Sequence, residues 1–102
     1  MPAVTRKGDS CSGDGCFPPT NNVGGSGDQG DDDKLVYVNK IPIHRVGDLW
    51  PDHSCGTSVH TGRKCASGSS TVFANNKAVA RIGDNVSCGS VIAQGSGNVS
   101  AG

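Results

Sequence analysis

The chain has 102 residues, no formal net charge, 33% hydrophobic residues, 4% aromatic residues and 16 Gly. Such a composition excludes a large apolar core, and its dispersed Lys and Arg exclude a phosphate-facing basic patch for nucleic acid. No apolar run approaches 18 residues, and the opening "MPAVTRKGDS" lacks the hydrophobic stretch of a cleaved secretory signal.

All nine acidic residues are Asp, Leu occurs twice, and Val and Ile together occur fifteen times. Asp, Asn, Ser and Gly favour turns, whereas β-branched residues favour strands. No stretch sustains an i, i+3, i+4, i+7 apolar pattern. The expected fold is one all-β, loop-rich domain over residues 1–102, without helix. With so little to bury, a disulfide, a metal or a partner chain is expected to help hold it.

In chain order, the first feature is "RKGD", Arg6 to Asp9, followed by Cys11 and Cys16. Asn21 to Lys34, "NNVGGSGDQGDDDK", is expected to be an exposed acidic loop inserted into a repeat. Its acids lack the spacing of an EF-hand. "VYVNKIPIHRVGD", Val36 to Asp48, follows and returns without a gap as "VFANNKAVARIGD", Val72 to Asp84. Each copy predicts a short strand, a two-residue turn at Asn39-Lys40 or Asn75-Asn76, a second strand and a closing Gly-Asp. Asn tolerates φ > 0, so type I′ hairpin turns are predicted. Phe73, Ala78, Ala80 and Ile82 alternate onto one face, matched by Tyr37, Pro42, His44 and Val46. Arg-x-Gly-Asp thus occurs three times, and the tail "GSGNVSAG" echoes "GSSTVFAN". Three like corners point to a pseudo-threefold object.

Five Cys and three His fall mostly in the loops that follow these corners. Cys11 and Cys16 follow Asp9; His53, Cys55, His60 and Cys65 follow Asp48; Cys88 follows Asp84. Equivalent corners would bring these loops to one end, where thiolates and imidazoles suit tetrahedral Zn²⁺. The expected metal ligands are His53, His60 and Cys88, with Cys16 as the fourth. A Cys pair, Cys11 with Cys16 or Cys55 with Cys65, is the competing use of the thiols. His44 sits mid-strand where the other copy has Ala80, so it is expected to be packed and hydrogen-bonded. No nucleophile signature surrounds any Cys, and no catalytic function is expected.

"PIHRVGD" (Pro42 to Asp48) and "AVARIGD" (Ala78 to Asp84) resemble the Pro-Ala-Ala-Arg motif of the PAAR-repeat proteins. "GSSTVFANNKAVARIGDNVSCGS" is similar to that family's repeat almost throughout, and "RKGDSC" and "GSGNV" fit its first and last pieces. The resemblance implies a small conical β-protein with a zinc, or alternatively an iron, near its apex on His and Cys ligands. It implies a structural role: one chain caps the trimeric β-helical spike of a contractile phage tail or type VI secretion system and sharpens it to pierce a membrane. Cys88 matches the family's ligand after the last Gly-Asp, and His53 and His60 lie where the family places His ligands. Two departures stand out. Ile43 and His44 replace the two Ala, and the first loop offers Asp14, Cys11 and Cys16 where a His is common. The sequence stops at Gly102 without room for an effector domain, so a bare tip of a phage tail or secretion apparatus is expected, with no nucleic-acid or small-molecule partner. The alternative is a metal-stabilised virion decoration or adhesion module.

Overall fold

The computed structural model of the chain describes residues 1–30 and 35–102. Among them there is no helix, and six short strands make three antiparallel hairpins. β1 (Tyr37–Val38) pairs with β2 (Ile41–Pro42), β3 (His53–Cys55) with β4 (Ser58–His60), and β5 (Phe73–Ala74) with β6 (Lys77–Ala78). Both repeat hairpins turn on two residues in the left-handed region: Asn39 (φ 55) and Lys40 (φ 65), Asn75 (φ 53) and Asn76 (φ 64). The expected type I′ conformation is present, Lys40 included.

What joins the hairpins is a ring of backbone hydrogen bonds. Thr5 N–H donates to Ala80 O (2.9 Å), Ala80 N–H to His44 O (3.0 Å), and His44 N–H to Thr5 O (3.0 Å). A second triad surrounds it, from Lys7 to Pro42 O, Val46 to Ala78 O and Ile82 to Ala3 O, at 2.8–2.9 Å. A third hairpin-like pairing is assembled from both ends of the described chain: Val4 N–H donates to Val99 O as Ile43 does to Val36 O and Val79 to Val72 O. The three Arg-x-Gly-Asp segments therefore occupy corresponding positions in one hydrogen-bond pattern.

Each corner is built alike. In the buried one, Arg45 N–H and Nε both donate to Asp48 Oδ2 (2.8 and 3.0 Å), and Nη2 donates to Oδ1 (2.9 Å). Arg6 with Asp9 and Arg81 with Asp84 repeat these bonds. The intervening Gly8, Gly47 and Gly83 have φ of 93, 91 and 95, where a side chain would strain the backbone. A bidentate Arg–carboxylate fork thus clamps a turn that only Gly can make.

Two small apolar clusters replace a single core. Val4, Val38, Ile43, Ala74, Val79 and Ala101 form one; Cys11, Trp50, Cys65, Ala80, Val86 and Ile92 form the other. This corrects the expected alternation. Phe73 and Ile82 are exposed, while the neighbours Val79 and Ala80 are both buried. The strands are too short to make a sheet with one dry face, so Val79 enters the first cluster and Ala80 the second. His44 is fully buried as expected: Nδ1 donates to Gly24 O (2.7 Å) and Nε2 accepts from Trp50 Nε1 (3.0 Å). Burial holds its pKa below the ordinary value, outweighing the Gly24 hydrogen bond and the nearby Asp48 carboxylate, which favour the charged ring.

The acidic insertion is also corrected in part. Asn22 and Ser26 are buried, and Asn22 Nδ2 donates to the backbone oxygens of Arg6 and Asp9 (2.9 and 3.1 Å). Arg45 Nη2 donates to Gly25 O (3.2 Å). Residues 27–30 are exposed. Residues 31–34, which carry three of its Asp and Lys34, lie outside the described residues.

Candidate metal centre

"HSCGTSVH" was expected to lie in a loop, but it folds as the β3–β4 hairpin around Gly56 (φ 61). Its register sets His53 directly opposite His60. Directly opposed residues point to one side of the pair, so both imidazoles emerge together. His53 is buried and His60 half-buried. His53 Nε2 lies 2.9 Å from His60 Nδ1, and Cys88 Sγ lies 3.7 Å from the same His53 nitrogen. The ligating atoms of His53, His60 and Cys88 all fall within 4.8 Å of one another. Residues from two loops far apart in sequence therefore meet at one point.

The tautomer of His53 suits a ligand. Its Nδ1 is 3.1 Å from Pro18 O, a carbonyl that can only accept. The proton therefore sits on Nδ1, and the Nε2 lone pair faces His60 and Cys88. Phe17 fixes the rings from the side, stacked on His60 with centroids 3.7 Å apart and tilted against His53 at 4.8 Å.

Arg63 organises the sulfur. It is fully buried, and its Nε donates to Cys88 Sγ (3.1 Å). Nη1 donates to Thr20 Oγ1 and Pro51 O (both 2.8 Å), and Nη2 to Ser90 Oγ (3.4 Å) and Cys11 Sγ (3.6 Å). The Trp50 ring lies beneath the guanidinium at 5.8 Å. Burial opposes the Cys88 thiolate, but hydrogen bonds from Ser90 and then Arg63 outweigh it, so its pKa is lowered. The same competition, won by Thr20, Gly13 and Arg63 over burial, lowers Cys11 to about 7. At Cys65 the balance is reversed: burial first, then Asp84, outweighs a backbone hydrogen bond at Ser67 and pushes its thiol up to about 12.

The donor set fits a metal ion. Zn–N bonds of about 2.0–2.1 Å and Zn–S bonds of about 2.3 Å put neighbouring tetrahedral donors roughly 3.3–3.6 Å apart. The separations of 2.9 and 3.7 Å straddle that range and none exceeds 4.8 Å, so inward movement of the rings and the thiol would complete the arrangement.

Cys16 does not join the group. It is bonded to Cys55 in a disulfide, with Cα atoms 5.6 Å apart, and this also replaces both expected pairings. Cys11 and Cys65 are free and buried in the second apolar cluster. The turn closed by Asp14 and Phe17 lies against the β3–β4 hairpin, and there Cys16 takes Cys55 as its partner, so its sulfur is not available as a donor. Arg63 was missed by the sequence reading. No local signal marks an arginine whose partners are two thiols from other loops.

A protein-family model described as the PAAR motif matches residues 18–94, more than half of the chain. No curated protein matches it.

Proposed function

Since the chain belongs to the PAAR-motif family, we propose that it caps the end of a trimeric β-helical spike, one chain per trimer, and sharpens that spike for entry into a membrane. The family match itself supports a spike-tip role in a contractile injection or secretion system, and PAAR-motif proteins are structural tip pieces. The observation that carries the finer reading is the closed ring through Thr5, His44 and Ala80. A trimer presents three equal surfaces, and a single asymmetric chain can meet them only by presenting three like edges. The corresponding hydrogen bonds around that ring support reading the corners as pseudo-threefold.

The opposite requirement is a stiff point. His53, His60 and Cys88 would hold zinc, with iron as the alternative, and the bound ion would supply a rigid cross-link rather than a reaction. Arg63 and Pro18 keep the sulfur and the His53 ring ready for it. Loops that cannot build a core of their own would then be fixed where the load is greatest. The setting is a phage tail tip or the tip of a type VI apparatus, with transient contact to the target membrane.

The test is assembly with a trimeric β-helical spike produced in the same cells. A purified complex with one chain per three spike subunits supports capping. One chain per spike subunit would replace it with the decoration-module reading, and no complex with any such spike would leave the capping role without support.

A further inference from the structure

We propose that Asp14 is the fourth donor of the His53–His60–Cys88 group, giving two imidazoles, one thiolate and one carboxylate; the inference rests on the metal-holding reading above. Asp14 Oδ2 lies 3.8 Å from His60 Nδ1. That nitrogen is the one facing His53 Nε2 at 2.9 Å. An outer carboxylate or carbonyl that only orients a ligating imidazole sits against the ring's other nitrogen, as Pro18 O does for His53. Asp14 stands instead on the side where the donor atoms converge.

Its position is enforced. Asp14 and Phe17 exchange two backbone hydrogen bonds, each 3.0 Å, closing a turn through Gly15 (φ 62) and Cys16. Within that turn, Phe17 stacks on His60 and Cys16 is bonded to Cys55 of β3. One turn therefore delivers a carboxylate, a ring that fixes His60 and a covalent tie to the strand bearing His53. On the far side, a Cβ built on Gly89 would lie 3.5 Å from Asp14 Oδ2, so the carboxylate reaches the Cys88 loop as well. No hydrogen bond occupies this carboxylate among the described residues. The first loop, which has no histidine, thus contributes to the group through oxygen. Two anionic donors would also cancel the charge of a divalent ion, an advantage in a partly buried site.

The experiment is a competitive Zn²⁺ titration of the full chain against a chromophoric chelator, with Co²⁺ absorption spectra in parallel, on wild type, D14N, D14H and C88S. Wild type is expected to bind one ion. D14N should weaken binding beyond the about 10–100-fold that loss of an outer partner costs, and should shift the Co²⁺ d–d bands. D14H should restore tight binding with bands displaced from wild type. Thermal melting of metal-free D14N should lie close to metal-free wild type, since the carboxylate's 3.8 Å approach to His60 is partly exposed and screened. Tight wild-type binding with an unchanged D14N affinity and spectrum overturns the Asp14 assignment while leaving the three-residue site intact. Failure of the wild type itself to bind overturns the metal reading, and the Asp14 assignment with it.

Discussion

The three Arg–Asp corners share one geometry but differ in burial, so neutralising each Asp in turn predicts a graded loss of stability. Arg45 and Asp48 side chains are 0% exposed, against 15% and 7% for Arg6 and Asp9 and 20% and 9% for Arg81 and Asp84. In D48N the carboxamide keeps the shape but leaves the guanidinium, which water cannot reach, without its counter-charge, held only by neutral acceptors such as Gly25 O and Asn75 Oδ1. Removing one partner of a buried pair costs about 3–5 kcal/mol. D9N and D84N lose similar bonds beside solvent, which screens the remaining charge, and should cost about 1–2 kcal/mol. At roughly 4–8 °C per kcal/mol for a domain of this size, D48N should melt at least ~12 °C below wild type and the others roughly a third as far. Melting followed by the fluorescence of buried Trp50, at fixed metal concentration, measures this directly. Equal losses at all three corners would refute the argument that burial, rather than corner geometry, sets the energy.

Three further outcomes are expected. Cys88→Ser should lower metal content and thermal stability together, whereas His44→Ala should destabilise the fold by opening a buried gap yet leave metal content unchanged, as elemental mass spectrometry can show. Reducing the Cys16–Cys55 bond, which spans 39 residues, should cost about 4 kcal/mol in urea titrations by loop-entropy reasoning, and should loosen the turn that carries Phe17. In metal-free protein, Cys11 titrates at about 7 when folded against 9.0 unfolded, so its contribution is complete above pH 9 and lost as pH falls through 7. Cys65, at about 12 when folded, acts oppositely and removes stability as pH rises from 9 toward 12. These two thiols together favour the fold most near pH 9, and Cys11→Ala should reduce the rise between pH 7 and 9, leaving the part that the lowered Cys88 thiol contributes.

Much of this protein is legible along the chain because its local rules are strong. Asn-Lys and Asn-Asn between short β-branched runs specify two I′ hairpins, and Arg-x-Gly-Asp specifies a clamped turn, since only Gly accepts the corner's φ and only an Arg three residues from an Asp closes the fork. The repeat of these units sets the all-β class, and the placement of His53, His60 and Cys88 after successive corners identified residues that do meet. What sequence pattern misplaced depended on contacts between loops. Cys16, expected as the fourth ligand after the other three, is instead bonded to Cys55, a partner 39 residues away that nothing in its own neighbourhood announces. Val79 and Ala80 are both buried because two clusters flank the backbone ring, which no alternation along one strand can encode. Arg63, bonded to sulfur from two other loops, has no signature at all in its own neighbourhood. Turn and strand preferences are settled within a few residues of backbone, so sequence determines them. Which thiol meets which imidazole is settled only when three corners close into a ring and bring distant loops to one place, so that was left to the tertiary structure.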